Sequence, residues 1–408
     1  MKPALSGVRV LDLSQVLSGP FCTQMLADLG ADVIKVEGPQ GDIARGMPPY
    51  YLGSDSVYYL AINRNKRSIV ADMKTAEGLD VVRRLAVASD IVIENFRPGV
   101  CERLGLSAKA LRIDKPALIW CSITGFGQDG PYRDKPAYDL IVQALSGGMS
   151  LTGERDGVCV RAGIPIADLA AGMYAATAVL AALHRRTETG RGEYIDISML
   201  DCQVAMLVYQ AAFYLHSGNV PGRQGREHDS IATYGTFKAK DGMELVIAAL
   251  NDHMWQSLCS VLGCQELLAD ARFASARDRA KNRDVLVPLI EQRFLARPAD
   301  EWMQLLEQEG VPVGVVNTID NVAANPQIKH RGMILELAAA DGRRARVAGD
   351  PFLFEEARRN AHTFPPTAGE HSAAILRDVL GLSTDQIRHL IETGAVIARR
   401  DMTQDHIA

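Results

Sequence analysis

A lone aspartate, Asp168, stands in the run AGIPIADLAAGMYAATAVLAAL, residues 162–183, among small and apolar neighbours with no cation beside it in sequence. Burying a carboxylate without a partner is costly, so the residue asks for a reason. Pro165 suits the first turn of a helix, which puts Asp168 near a helix N-terminus, where free amides and the macrodipole favour the ionised form. A poorly hydrated, ionised carboxylate is a nucleophile of the kind that attacks activated acyl or glycosyl centres. Gly163, Ala167 and Gly172 leave room for a substrate beside it. The competing reading is a helix acid that only satisfies backbone amides, and position alone leaves both open.

Two other stretches offer groups for an anionic ligand. ENFRPGVCERLGL, residues 94–106, follows a strand pattern and presents Asn95, Phe96, Arg97 and Arg103 where ligands of open α/β sheets gather. Arginines suit phosphate, and an aromatic side chain can cover an adenine ring. NRNKRSIVADMK, residues 63–74, adds Arg64, Lys66, Arg67 and Lys74, a second basic cluster that a solvated surface would equally explain. Tyr138, in KPAYDLIVQALSGG, has a hydroxyl able to donate to a developing oxyanion. His228 and His371 lack spaced partners, and the seven cysteines form no CxxC pair, so no metal site is expected.

The elements that must position these groups read as alternating strands and helices. VRVLDL (Val8 to Leu13), DVIKVE (Asp32 to Glu37), SIVA (Ser68 to Ala71), IVIE (Ile91 to Glu94) and LIWCS (Leu118 to Ser122) are strand patterns. Helical patterns lie between them, one beginning at Pro20 and another running from Glu77 to Ala88, as a parallel sheet covered on both faces requires. The first turn, SQVLSGP, lacks the glycines of a dinucleotide-binding fingerprint, so Glu37 reads as a solvated strand end. NVPGRQGREHDS, residues 219–230, has loop composition and marks a domain junction. TYGTFKAKDGMELVIAAL then reads as a hairpin turning at Asp241-Gly242, GVPVGVV as a further strand, and Thr384 to Thr393 as a final helix.

Composition narrows the partners. With 44 basic and 49 acidic residues and a net charge of -5, no overall field gathers nucleic acid or anionic lipid. The apolar run after Asp168 approaches membrane-spanning length, but its alanines and glycines, its proline and the following His184-Arg185-Arg186 fit a buried core helix better. Absent cysteine pairing and an N-terminus without a signal-type apolar segment suggest a cytoplasmic protein.

LDLSQVLSGPFCTQMLADLGADVIKVE, ENFRPG, SITGFGQDGP, PAYDLIVQALSG, RAGIPIADLAAGMYA and TGRGEYIDISML occur in that order, with LADARF, GVPVG and GEHS after them. This ordered set resembles the class III CoA-transferase (CaiB/BaiF) family over nearly the whole chain. The resemblance implies an α/β fold: a Rossmann-like large domain built from both chain ends, a smaller inserted α+β domain, and an interlocked homodimer. The corresponding ranges here are 1–220 for the N-terminal part of the large domain, 221–330 for the small domain and 331–408 for the returning C-terminal segment. It also implies that Asp168 is the nucleophile, supported by Tyr138, and that Val16, Leu17, Ala71, Asp72, Met73, Lys74, Asn95, Phe96, Arg97 and Arg103 contact CoA. No permanently bound cofactor is implied; a coenzyme A thioester and a small carboxylic acid are the substrates.

Within such a family the branch matters. Racemases of 2-methylacyl-CoA use a Gly-His-Asp triplet, where this chain has Ala137-Tyr138-Asp139 and so no base. The formyl-CoA and oxalate enzymes resemble the chain too, but they carry a glutamine where Leu17 stands and a long glycine-rich loop that is not found in the region after Gly218. REHDSIATYGTF looks closer to transferases working with succinyl-CoA and dicarboxylates, although Thr233 replaces a proline common there. Arg223, Arg226 and His228 are then candidates for a distal carboxylate.

Overall fold

Apolar runs of the N-terminal half become the strands of one sheet. The computed structural model describes residues 2–356 and 361–398. In chain order, the first elements are β1 (Arg9–Asp12), α1 (Ser18–Asp28), β2 (Asp32–Glu37), β3 (Lys66–Ala71), α2 (Ala76–Ala88), β4 (Ile91–Glu94) and β5 (Ile119–Thr124). They are followed by α3 (Asp139–Leu145), α4 (Ile166–Thr189), β6 (Tyr194–Ser198), α5 (Met199–Met206) and α6 (Val208–Ser217). A second group comprises β7 (Tyr234–Lys238), β8 (Glu244–Ala248), α7 (Asp252–Leu262), α8 (Arg283–Phe294), α9 (Ala299–Gln308) and β9 (Val313–Val315). The chain then adds β10 (Ile334–Ala338), β11 (Arg344–Ala348), α10 (Ser372–Leu380), α11 (Thr384–Glu392) and β12 (Val396–Ile397).

The main sheet has the order β12-β3-β2-β1-β4-β5-β6, parallel except for β12, which pairs antiparallel with β3. Every residue of β4 and β5 is buried, as befits central strands covered on both faces. One face packs on α2, α10 and α11 through Val82, Leu85, Ile375 and Leu376. The other packs on α1 and α4 through Cys22, Leu26, Ala171 and Ala175. By length and a mean hydropathy of 1.7, α4 resembles a membrane span. Its alanines at 167, 170, 171, 175 and 176 are instead buried in the core of this sheet, where a stripe of methyl groups lets a helix approach closely. Gly190, with φ of 65°, ends it in a left-handed cap.

The chain divides into two compact units: Met1–Gly148 with Arg161–Leu215 and Lys329–Ala408, and Met149–Val160 with His216–Ile328. Residues from both ends of the sequence thus share the first unit. Residues 149–160 go with the second, in which the Arg223 guanidinium donates to the Glu154 and Arg155 carbonyls. The second unit has a three-stranded antiparallel sheet, β9-β8-β7, whose hairpin turns at Asp241-Gly242 with Gly242 at φ of 84°. Helices cover it around Phe237, Trp255, Phe294 and Trp302.

Several charged residues behave differently from their sequence reading. Glu37 is 2% exposed, not a solvated strand end. Its carboxylate accepts from both Nε and Nη2 of Arg45, from the Ser68 hydroxyl and from the Asp42 amide. Three of the four cations of the 63–74 cluster are drawn into ion pairs that fasten the sheet. Arg64 forks onto Asp28, Arg67 onto Asp32, and Lys66 reaches Asp12 at 3.0 Å with both side chains fully buried. Burial pushes the Asp12 carboxyl up, but Lys66, Lys35 and the Ser14 and Thr23 hydroxyls outweigh it and hold the group at about 2. Burial brings Lys66 down to about 8, against the pull of Asp12.

Candidate functional site

At the carboxyl ends of β1, β4 and β5, the connections to the following helices enclose a cleft of about 240 Å³. Seven of the residues singled out from sequence line it: Val16, Leu17, Asn95, Phe96, Arg97, Tyr138 and Asp168. An open parallel sheet leaves its strand ends uncovered there, so loops of distant sequence converge. Each is held by specific bonds. Asn95 donates to the Gln15 carbonyl and accepts from the Gln15 amide, both at 2.8 Å, tying the loop after β1 to the loop after β4. Glu94 accepts from the Phe96 amide at 2.9 Å, and burial raises its carboxyl to about 7 despite that bond and one from Ser122.

Asp168 lies in the first turn of α4 and lines the cleft, but the helix terminus does not draw its carboxyl below the ordinary value. Asp139 takes the helix amides: its Oδ1 accepts from Ala167 at 2.8 Å and Asp168 at 3.4 Å, and its Oδ2 from Gln143 at 2.7 Å. Burial first, and then the Asp139 charge, raise the Asp168 carboxyl to about 6, opposed by hydrogen bonds from the Ser18 hydroxyl and backbone. The expected downward pull of the macrodipole is therefore outweighed. The group is still mostly ionised at neutral pH, and its raised basicity makes the anion a stronger nucleophile. Tyr58 feels the same charges; burial followed by Asp168, Asp42 and Asp139 pushes its phenol to about 12.

Sequence reasoning missed two cations of the cleft, Arg133 and Lys135, which line it together with Arg97. Their signal was GQDGPYRDKPAYD, a glycine- and proline-rich loop leaving the end of β5. The loop is organised: Arg133 Nε donates to the Gln128 carbonyl, and Lys135 sits 3.4 Å above the Tyr132 ring. Ser18, which bonds Asp168, and Asp139, which caps α4, were also not assigned roles.

Other predicted residues fall outside the cleft lining. Ala71, Asp72, Met73 and Lys74 run from the end of β3 into the turn before α2, where Asp72 accepts from the Lys74 amide and Met73 packs on the core. Arg103 does not line the cleft, although a Cβ built on Gly99 would meet its Nη1 at 3.3 Å and Arg133 Nη2 at 3.5 Å. Both guanidinium groups therefore converge over that glycine. Tyr138 is 73% exposed and its ring stands at the cleft's surface. In the second unit, Arg226 is ion-paired with Glu291, Arg223 bonds backbone carbonyls, and His228 stacks on Tyr234 at 5.1 Å.

The sequence profile described as CoA-transferase family III matches residues 5–372. The chain is 41% identical over 385 residues to succinate--glutarate CoA-transferase of Agrobacterium fabrum, covering 93% of this chain and 96% of that protein. It is 38% identical over 397 residues to human succinyl-CoA:glutarate CoA-transferase, covering 97% and 90%. A crystal structure of a CAIB/BAIF family protein from Brucella suis superposes with a TM-score of 0.84 at 40% identity, over 93% of this chain and 100% of that one. A match spanning both ends of the sequence, on a sheet of the same fold, leaves one assignment: the chain belongs to CoA-transferase family III.

Proposed function

We propose that this protein transfers CoA from an acyl-CoA of the succinyl-CoA type to a small dicarboxylic acid, with Asp168 as the covalent carrier. The observation that carries the reading is a single carboxylate, raised to about 6, facing a cleft that otherwise presents the cations Arg97, Arg133 and Lys135. Cations suit the phosphates of CoA, and the carboxylate suits its thioester. Relatives named for succinyl-CoA with mesaconate and with D-citramalate, at 35% and 34% identity, support a dicarboxylate acceptor.

In this mechanism an Asp168 oxygen attacks the thioester carbonyl, the carbon–sulfur bond breaks, and CoA thiolate leaves a mixed anhydride. The thiolate then attacks the aspartyl carbonyl, releasing the donor acid and forming an aspartyl-CoA thioester. Attack by the acceptor carboxylate expels thiolate again and makes a second anhydride. Return of the thiolate to the acceptor carbonyl gives the new acyl-CoA and free Asp168. No proton is gained or lost overall, and nothing is hydrolysed if water is excluded. The ionised Asp168 starts the cycle, and Ser18 orients it.

The reading includes a homodimer in the cytoplasm. Exposed apolar side chains on α4 to α6, including Tyr174, Val204, Val208, Tyr214 and Leu215, support burial against a second copy. Seven cysteines without a disulfide fit a reducing compartment. Incubation with succinyl-CoA and a panel of acceptor acids, read by mass spectrometry, tests the function: exchange is expected with glutarate-sized acids and lost in Asp168→Ala. Exchange by Asp168→Ala would refute the mechanism.

A further inference from the structure

The loop that brings Ser18 to Asp168 contains a backbone conformation that its sequence resists. Val16 has φ of 67°, in the left-handed region, where a β-branched side chain crowds its own backbone. Such a conformation persists only where the surroundings over-determine it. Here the determinant is visible. The Val16 amide donates to Oδ1 of Asp42 at 3.1 Å, and Oδ2 of Asp42 meets Lys35 Nζ at 2.7 Å, with both side chains fully buried. Lys35 also donates to the Ser14 carbonyl at 2.9 Å, so one cation braces the loop and its anchor together. Asp42 cannot shift to follow Val16, because its own amide bonds Glu37 and its Oδ1 also takes the Ala44 amide.

We infer that Asp42, fixed by Lys35, is a positioning residue for the transfer reaction: it holds Val16 left-handed and thereby sets Ser18 against the Asp168 carboxylate. Asp42 does not line the cleft and touches no reacting atom; it acts through the backbone. Two residues after Val16 the chain enters α1 at Ser18, which lines the cleft together with Asp168 and opposes the rise of its carboxyl. If Val16 relaxed to negative φ, the chain would leave β1 in another direction and Ser18 would leave its place in the cleft beside Asp168. The inference rests on the proposed role of Asp168.

Glycine adopts positive φ without crowding, which gives the test. Asp42→Ala, Val16→Gly and the double variant are compared for succinyl-CoA-dependent exchange, with circular dichroism confirming the fold. Misplacing the loop by about 1 Å should lower kcat/KM by roughly 100-fold in Asp42→Ala. In a Val16→Gly background the same substitution should cost less than about 10-fold, because the strain it opposes is gone. Equal losses in both backgrounds would overturn the inference.

Should Asp42→Ala leave Lys35 too poorly matched to fold, Lys35→Met removes the charge. Asp42→Asn with Lys35→Met keeps an acceptor for the Val16 amide, whereas Asp42→Ala with Lys35→Met does not. The first pair should be at least about 10-fold more active than the second. Equal activity of the two pairs would also overturn the inference. Absence of exchange in the unaltered protein would count against the proposed function instead, so the two failures are distinguishable.

Discussion

Replacing Asp168 by asparagine should inactivate the enzyme and at the same time stabilise it, in a way that depends on pH. The Asp168 carboxyl lies at about 6 in the folded chain against an ordinary value of 3.8. A shift of about two units corresponds to about 2–3 kcal/mol of unfavourable free energy in the ionised folded state. The sign follows from linkage. Because the folded value is raised, the protein is penalised once the group ionises: the cost is absent below about 3.8, grows between 3.8 and 6, and is complete above 6. Asparagine never carries that charge, and it can still accept a hydrogen bond from Ser18. At pH 8 the variant should therefore be more stable than the parent by about 2–3 kcal/mol, which for a unit of this size is roughly 3–5 °C in melting temperature. At pH 4.5 the gap should shrink to about 1 kcal/mol, or about 2 °C. Thermal melts of both proteins at the two pH values, monitored by circular dichroism, provide the assay. A variant less stable than the parent at pH 8, or a difference unchanged between the two pH values, would refute the claim that Asp168 is held in an environment hostile to its charge.

Further outcomes follow from the same geometry. kcat/KM should fall tenfold per pH unit below about 6 and level off above it, as read from its pH profile; a flat profile down to pH 5 would contradict Asp168 as the ionised nucleophile. Gly172→Ala would place a Cβ 2.8 Å from the Ser18 carbonyl and 3.0 Å from the Phe21 ring. It should cost about 1–3 kcal/mol in denaturant unfolding, and lower kcat further than that instability accounts for, because Ser18 must yield. Lys66→Met removes a fully buried partner of Asp12 and should destabilise the fold by about 3–5 kcal/mol in urea titrations, whereas the double change Asp12→Asn with Lys66→Met should recover part of that loss.

Which features could be read from the sequence depended on how local their causes are. β2 and β4 have the limits that their apolar runs predict, and α2 begins within one residue of its predicted start, because continuous hydrophobic stretches and a Thr75 cap are written in adjacent residues. β6 was not recognised as a strand: YIDIS alternates with charge, and it forms an edge of the sheet with its outer side chains in solvent. β12 has only two residues and exists because β3 offers an open edge. The position of Asp168 in the first turn of a buried helix was legible from Pro165 and the alanine run. The direction in which its environment moves it was not, because Asp139, 29 residues earlier, occupies the helix amides. Glu37 and Lys66 are buried for a similar reason: Ser68 and Asp12 are brought to them by the arrangement of the parallel strands, and Arg45 returns to Glu37 from the 3-10 turn after β2. Arg133 and Lys135 line the cleft from a loop whose course no periodicity describes.

The central claim is that one oxygen of Asp168 carries the acyl group and then CoA. Brief reaction with succinyl-CoA, trapping with hydroxylamine and peptide mapping by mass spectrometry address it directly. The account predicts a hydroxamate on the peptide bearing Asp168 and on no other, and none in Asp168→Asn. Modification at a different residue, or full exchange activity with Asp168 never labelled, would contradict it.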